Sequence, residues 1–189
     1  MNAALRNTLN EFEKIPDDDW EFFQSILTTS TIKKGDFLLR EGQICKGVYF
    51  VILGSARAYL SIDGREVNTS FYFEESFISD FESLTNDLPS KKSIQVMENT
   101  NVIFIPKIKL LALYEESTSF QTLGRKILEQ VVILEQQYSS LFTIFLPKER
   151  YEHVLENHPN LIQRVPLQFL ASYLGVARET LSRIRKRVT

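Results

Sequence analysis

The sequence predicts an α+β fold: an N-terminal β roll of the jelly-roll type, one long helix, and a C-terminal helix-turn-helix. Three observations carry this. Glycine-punctuated runs of alternating apolar residues extend from Thr31 to Pro106, helical spacing then continues from Ser119 to Leu146, and two small residues, Ala171 and Gly175, sit four apart within a short apolar hairpin near the end. The boundaries expected are 1–118 for the roll, 119–146 for the long helix and 147–189 for the terminal domain.

The opening 30 residues read as helix. Asp17, Asp18 and Asp19 offer an N-cap and favourable charge ahead of Trp20, Phe22, Phe23, Ile26 and Leu27. In the β region, Val48, Phe50 and Ile52 alternate, as do Ala56, Ala58, Leu60 and Ile62. Asp63-Gly64 then signals a hairpin, because glycine accepts the positive φ that a tight two-residue turn requires. Val67, Thr69, Phe71 and Phe73 form one face of the returning strand, and Val102 to Ile105 is a last strand closed by Pro106. Many short strands with regular turns imply a sandwich or jelly roll.

Beyond Pro106 the pattern is helical. Ile108 to Glu116 is a short amphipathic piece, and the long helix follows. Two seven-residue series run through it: Phe120, Ile127, Leu134, Leu141, and Gly124, Val131, Tyr138, Phe145. Sustained seven-spacing is the mark of a coiled-coil seam, so Phe120, Ile127, Val131, Leu134, Tyr138, Leu141 and Phe145 are the candidate homodimer interface. The competing expectation is that the stripe packs on the chain's own roll. Pro147 opens a further helix, Asn157-His158-Pro159 breaks it, and Leu161 to Pro166 is expected as a linker.

The last 23 residues hold the sharpest signal. Leu167, Leu170, Leu174, Val176, Leu181 and Ile184 suit two short helices crossing steeply. Ala171 permits their close approach, and Gly175 supplies the turn. This packing leaves Arg178, Glu179, Ser182 and Arg183 on the outer face. Arginine can contact guanine O6 and N7 with two prongs, and glutamate can accept from a cytosine amino group. Thr180, Ser182, Arg185, Lys186 and Arg187 are placed to meet phosphates, which position a protein without specifying sequence. Charge agrees. From Leu161 onward there are six basic residues and one acid, a formal +5, which leaves −7 for the remainder of a chain whose net charge is −2. A basic tip on an acidic body points to a polyanion.

The segment LQFLASYLGVARETLSRIRKRVT resembles the helix-turn-helix of the Crp/Fnr transcription regulators, most specifically in Arg178-Glu179-Thr180 and Ser182-Arg183. KKGDFLLREGQICKGVYFVILGSARAYL resembles the start of that family's cyclic-nucleotide-binding-type roll, and Ser119 to Leu146 lies where the family has its dimerisation helix. The resemblance implies a ligand-sensing roll and a homodimer that binds near-palindromic double-stranded DNA. Arg178, Glu179 and Arg183 would read bases, with Thr180 and Ser182 near the backbone. RNA polymerase and a small-molecule effector are the further partners to be expected.

Three departures qualify the resemblance. The family's nucleotide cassette needs a Gly-Glu pair and later an Arg-Ser, whereas Ser79-Asp80-Phe81 and Lys92-Ser93-Ile94 stand there. Lysine keeps the charge but loses the bidentate fork, so cyclic AMP is not the expected effector. Phe73, Asp80, Phe81, Lys92 and Ser93, with Phe71 and Phe77 beside them, remain the candidate ligand pocket, against a plain-core reading of the aromatics. A single cysteine, Cys45, excludes an iron–sulfur cluster, and both histidines, His153 and His158, lie outside the β region, so haem is not expected and no cofactor is assigned. The sequence stops soon after the second helix of the motif, so the wing of many relatives is expected to be absent.

Other classes fit less well. A ligand-binding roll that does not read DNA is the main alternative. A metal-dependent jelly-roll enzyme would need histidines on its strands, and Thr31 to Pro106 holds none; no catalytic site and no metal site are expected. Without a long apolar run or a signal-peptide layout, the expected location is cytoplasmic, with no membrane partner.

Overall fold

The structure, a computed structural model, describes residues 3–188. The chain divides into two compact units. One comprises Met1–Ala58 and Tyr72–Gln130, the other Tyr59–Phe71 and Val131–Thr189. The division assigns a β-hairpin tip to the C-terminal unit and falls inside the long helix.

In the first unit, α1 (Ala3–Phe12) and α2 (Asp17–Ser25) precede the strands. Pro16 rather than an aspartate holds the N-cap of α2, and the three aspartates fill its first turn, where their charge meets the positive end of the helix. Eight strands follow: β1 (Thr28–Ile32), β2 (Phe37–Leu39), β3 (Gly47–Leu53), β4 (Ala56–Ile62), β5 (Arg65–Tyr72), β6 (Phe77–Ile78), β7 (Lys92–Val96) and β8 (Thr100–Pro106), with α3 (Phe81–Asn86) between β6 and β7. They form two four-stranded sheets, in the orders β1-β8-β3-β6 and β2-β7-β4-β5. This is the expected jelly roll.

Strand alternation places its two cores. On β3, Phe50 joins Leu5, Leu9, Trp20, Phe23 and Ile103 in a cluster shared with the helices, while its neighbour Val51 joins Ala56, Ala58, Ile78, Ile94 and Val96. A period of two sends adjacent residues to opposite faces of the strand. α4 (Lys107–Glu116) follows β8 and contributes Leu113 to the first cluster.

The long helix, α5, spans Thr118–Ile144 and has 27 residues, which corresponds to ~40 Å. Its first turns complete the first unit's core through Phe120 and Leu123, with Ile127 packed against that core.

The second unit continues from Val131. α6 (Pro147–Asn157) begins with proline at its start, and Glu149 Oε2 accepts the Leu146 N–H at 2.8 Å. α7 (Pro159–Arg164) is a short helix where a linker was expected, because Pro159 stops α6 yet suits the first turn of a new helix. α8 (Leu167–Tyr173) and α9 (Arg178–Val188) complete the unit. Leu161, Val165, Leu170, Ala171, Leu174 and Leu181 are buried, as are Leu141, Tyr151 and Val154. The β4–β5 turn carries positive φ at both residues, 51° at Asp63 and 75° at Gly64, the geometry the dipeptide predicts.

Candidate nucleic-acid interface

The turn between α8 and α9 is built from the small residues outward. Gly175 has φ +68°, and a Cβ there would lie 3.1 Å from Phe142 Cε1. The Val176 N–H donates to the Ala171 carbonyl at 3.0 Å and the Gly175 N–H to the Ser172 carbonyl at 3.1 Å. These bonds satisfy two carbonyls that α8 leaves open at its end. Two side chains serve the next carbonyls. Arg150 Nη1 donates to Leu174 at 3.0 Å, and Tyr138 OH donates to Tyr173 at 3.2 Å. The Tyr138 phenol pKa is pushed up to about 12, first by burial and then by Glu135, with Arg150 opposing, so the ring remains a donor. Arg150 also lies over the Phe142 ring, and Tyr138 stacks on Tyr173 with centroids 4.7 Å apart. Sequence reasoning passed over Arg150. Its position one turn into a proline-led helix gave no sign of a capping partner 24 residues away.

With Leu170, Ala171, Leu174 and Leu181 buried beneath it, α9 turns its charge outward. Arg178, Glu179, Arg183, Arg185, Lys186 and Arg187 are exposed, and Thr180 and Ser182 are half-buried. Arg183 Nη2 lies 3.4 Å from Thr180 Oγ1, a weak contact one turn back along the helix. The residues expected to read bases and those expected to meet phosphates thus occur together on the solvent side of one helix.

The seam expected on α5 is used differently. Phe120 is buried in the first unit's core at 1% exposure, and Ile127 packs there too. Tyr138 is engaged by Tyr173, Phe145 stacks on His153, and Leu141 is buried. Phe120 and Leu141 are thus buried by the chain's own packing, while Ile127, Tyr138 and Phe145 are half-buried. Val131 is half-buried. Leu134 is 58% exposed, alongside Leu128 at 49%, Val132 at 55% and Ile133 at 43%. The sequence spacing recorded an apolar stripe but not which surface would cover it.

In the roll, Asp80 is buried at the start of α3. Ser90 Oγ donates to Asp80 Oδ2 at 2.6 Å, and Lys92 Nζ lies 3.6 Å from Asp80 Oδ1. Ser93 Oγ accepts the Glu41 N–H at 3.1 Å. Phe81 and Phe73 are half-buried. The structure therefore brings Asp80 and Lys92 together and adds Ser90, which the sequence reading missed. The cluster is neutral, because the lysine already faces a buried carboxylate. Lys92 lacks the guanidinium fork that pairs with a phosphate, and Ser79 stands where the cassette has its glycine.

A two-sheet roll followed by a long helix and a helix-turn-helix is a fold shared with many solved structures. Residues 29–117 match the family model of the cyclic nucleotide-binding domain, and the chain as a whole has the fold of the Crp/Fnr regulators. It is similar to FixK2 from Bradyrhizobium japonicum, at 19% identity and a TM-score of 0.72 over 86% of this chain and 84% of that one. A transcriptional regulator of the crp/fnr family from Eubacterium rectale aligns at 18% identity and a TM-score of 0.70, over 92% and 83%. A cyclic nucleotide-binding domain-containing protein from Listeria monocytogenes aligns at 17% and 0.71, over 98% and 90%. No curated protein matches the sequence. Among the described residues no helix is long and apolar enough to cross a membrane.

Proposed function

We propose that the chain is a homodimeric, sequence-specific transcription regulator of the Crp/Fnr type, acting in the cytoplasm. The carrying observation is α9, whose Arg178, Glu179 and Arg183 are exposed above a fully buried apolar seat. Arg178, Glu179 and Arg183 read base edges in the major groove. Thr180, Ser182, Arg185 and Lys186 meet the backbone. The dimer forms through the seven-spaced stripe of α5, where Leu134 is exposed and Val131 half-buried. Two copies of α9 then address half-sites about one duplex turn apart on a near-palindromic operator. Such a regulator engages RNA polymerase and answers to an effector other than cyclic AMP.

The test is selection of duplexes from a random pool by the purified protein, followed by footprinting and binding at moderate salt. The expected product is an inverted repeat bound well above scrambled duplex. Equal binding to all sequences by folded dimer would overturn the reading. Arg183→Ala should cost about 1–3 kcal/mol on the selected site and relax preference at one base pair.

A further inference from the structure

We propose that the β4–β5 hairpin forms part of the same nucleic-acid interface, with Arg65 contacting a backbone phosphate beside α9; this rests on the DNA-reading assignment above. The hairpin tip and the helix-turn-helix belong to one compact unit, and one side chain fixes them together. Ser172 Oγ accepts the Asn68 N–H at 3.0 Å and donates to the Glu66 carbonyl at 2.9 Å. Phe71 meets Tyr173 edge-on, with centroids 5.3 Å apart. The hairpin is thereby held at the level of α8, one helix away from the reading residues.

Between hairpin and motif lies an open cleft of about 570 Å³ whose lining includes Arg65, Gln168 and Arg178. Glu66 is the single acid on that lining, against two arginines, so the lining carries a formal +1. Arg65 and Arg178 are both exposed. Guanidinium groups match phosphate oxygens with paired donors, and a phosphodiester lying along this cleft would find one on each side of it. Arg178 is already placed at the start of the reading helix, so the phosphate that suits the cleft is one flanking the bases it reads. Gly64, at the rim, adds no side chain to hinder the approach of a duplex.

The experiment compares Arg65→Gln with the parent by fluorescence anisotropy, on the selected operator and on scrambled duplex, across a salt series. The expected result is an about three- to tenfold loss on both duplexes, an unchanged ratio between them, and a salt slope shallower by about 0.9 for each lost phosphate contact. Arg65 is exposed, so this variant folds as the parent does. Ser172→Ala keeps Arg65 but removes both hydrogen bonds that place the hairpin, and it should weaken both duplexes in parallel. Unchanged affinity and slope in Arg65→Gln, with Arg183→Ala still relaxing base preference, would overturn the hairpin's role and leave DNA reading intact. A loss confined to the operator would overturn the phosphate assignment. Saturable binding of inorganic phosphate that Arg65→Gln abolishes without altering duplex affinity would assign the cleft to a free anion and likewise overturn it. If the parent binds no duplex at all, both readings fall together.

Discussion

Arg150 donates Nε to the Phe145 carbonyl and Nη1 to the Leu174 carbonyl, each at 3.0 Å, and lies over the Phe142 ring. One guanidinium thus ties the end of α5, the start of α6 and the turn of the helix-turn-helix. Removing it leaves two carbonyls short of a charged donor, a loss of about 1.5–3 kcal/mol for a hydrogen bond of this type. Arg150→Met, which keeps the aliphatic stem, should lower the unfolding free energy by that amount in chemical denaturation, with the far-ultraviolet spectrum of the native state unchanged. A shift within error would mean that water serves both carbonyls equally well. Gly175 acts at the other side of the same turn. An alanine there must hold φ near +68° with its methyl 3.1 Å from Phe142. Gly175→Ala should therefore cost about 1–2 kcal/mol from backbone strain alone, read in the same denaturation assay.

At the scale of elements, the α6–α7 junction carries a pH response. His158 ends α6 and precedes Pro159, and its pKa is lowered from 6.5, first by burial and then by the nearby His153. The folded chain resists protonating it more than the unfolded chain does. Its contribution is therefore present above about pH 6.5 and is lost as pH falls through that value toward the lowered one. Thermal melts between about pH 5 and 8 should show a fall on the acid side that His158→Gln reduces; an identical profile in the variant would remove His158 from the account. The elements also show what the sequence could and could not reveal. The jelly roll, the Asp63-Gly64 hairpin and the Leu170–Ala171–Leu174–Leu181 seat were legible because strand alternation, turn chemistry and small-residue spacing are local signals. Which surface covers the α5 stripe was not. Seven-spacing marks an apolar stripe, but Phe120 and Ile127 found their partners in residues as distant in sequence as Leu5 and Phe50. Ser172 and Arg150 were invisible for the same reason, since each acts through a main-chain group remote along the chain. The exposed band that remains on α5 makes its own prediction. Leu134→Glu should convert the dimer to monomer in sedimentation velocity at micromolar concentration, because two carboxylates would face each other across an apolar contact. A dimer that persists would place the interface elsewhere.

For the whole molecule, the decisive quantity is the coupling between the roll and the reading helix. The charge partition, +5 from Leu161 onward against −7 elsewhere, concentrates positive charge at one end of the sequence. A regulator that used a cyclic nucleotide would link DNA binding to the Asp80–Lys92 locus. Linkage is reciprocal: a nucleotide that tightened DNA binding tenfold would itself bind tenfold more tightly to the DNA complex. Here Lys92 Nζ is 3.6 Å from the buried Asp80 carboxylate, which Ser90 also holds. The locus is neutral before any ligand arrives, and a lysine brings no paired fork to a phosphate. Titration calorimetry with cyclic AMP should accordingly give no saturable heat, and operator affinity should be the same with and without it. Lys92→Arg is the sharper variant, since it restores the fork without removing Asp80. Its nucleotide binding should remain absent, because Ser79 still stands where the cassette has the glycine that lets the backbone approach a phosphate. Binding that appears when Ser79→Gly is combined with Lys92→Arg, but not in Lys92→Arg alone, would identify the missing glycine as what keeps the nucleotide out. Tight binding by the parent would show instead that the pair opens readily, and the roll would then be a nucleotide sensor after all.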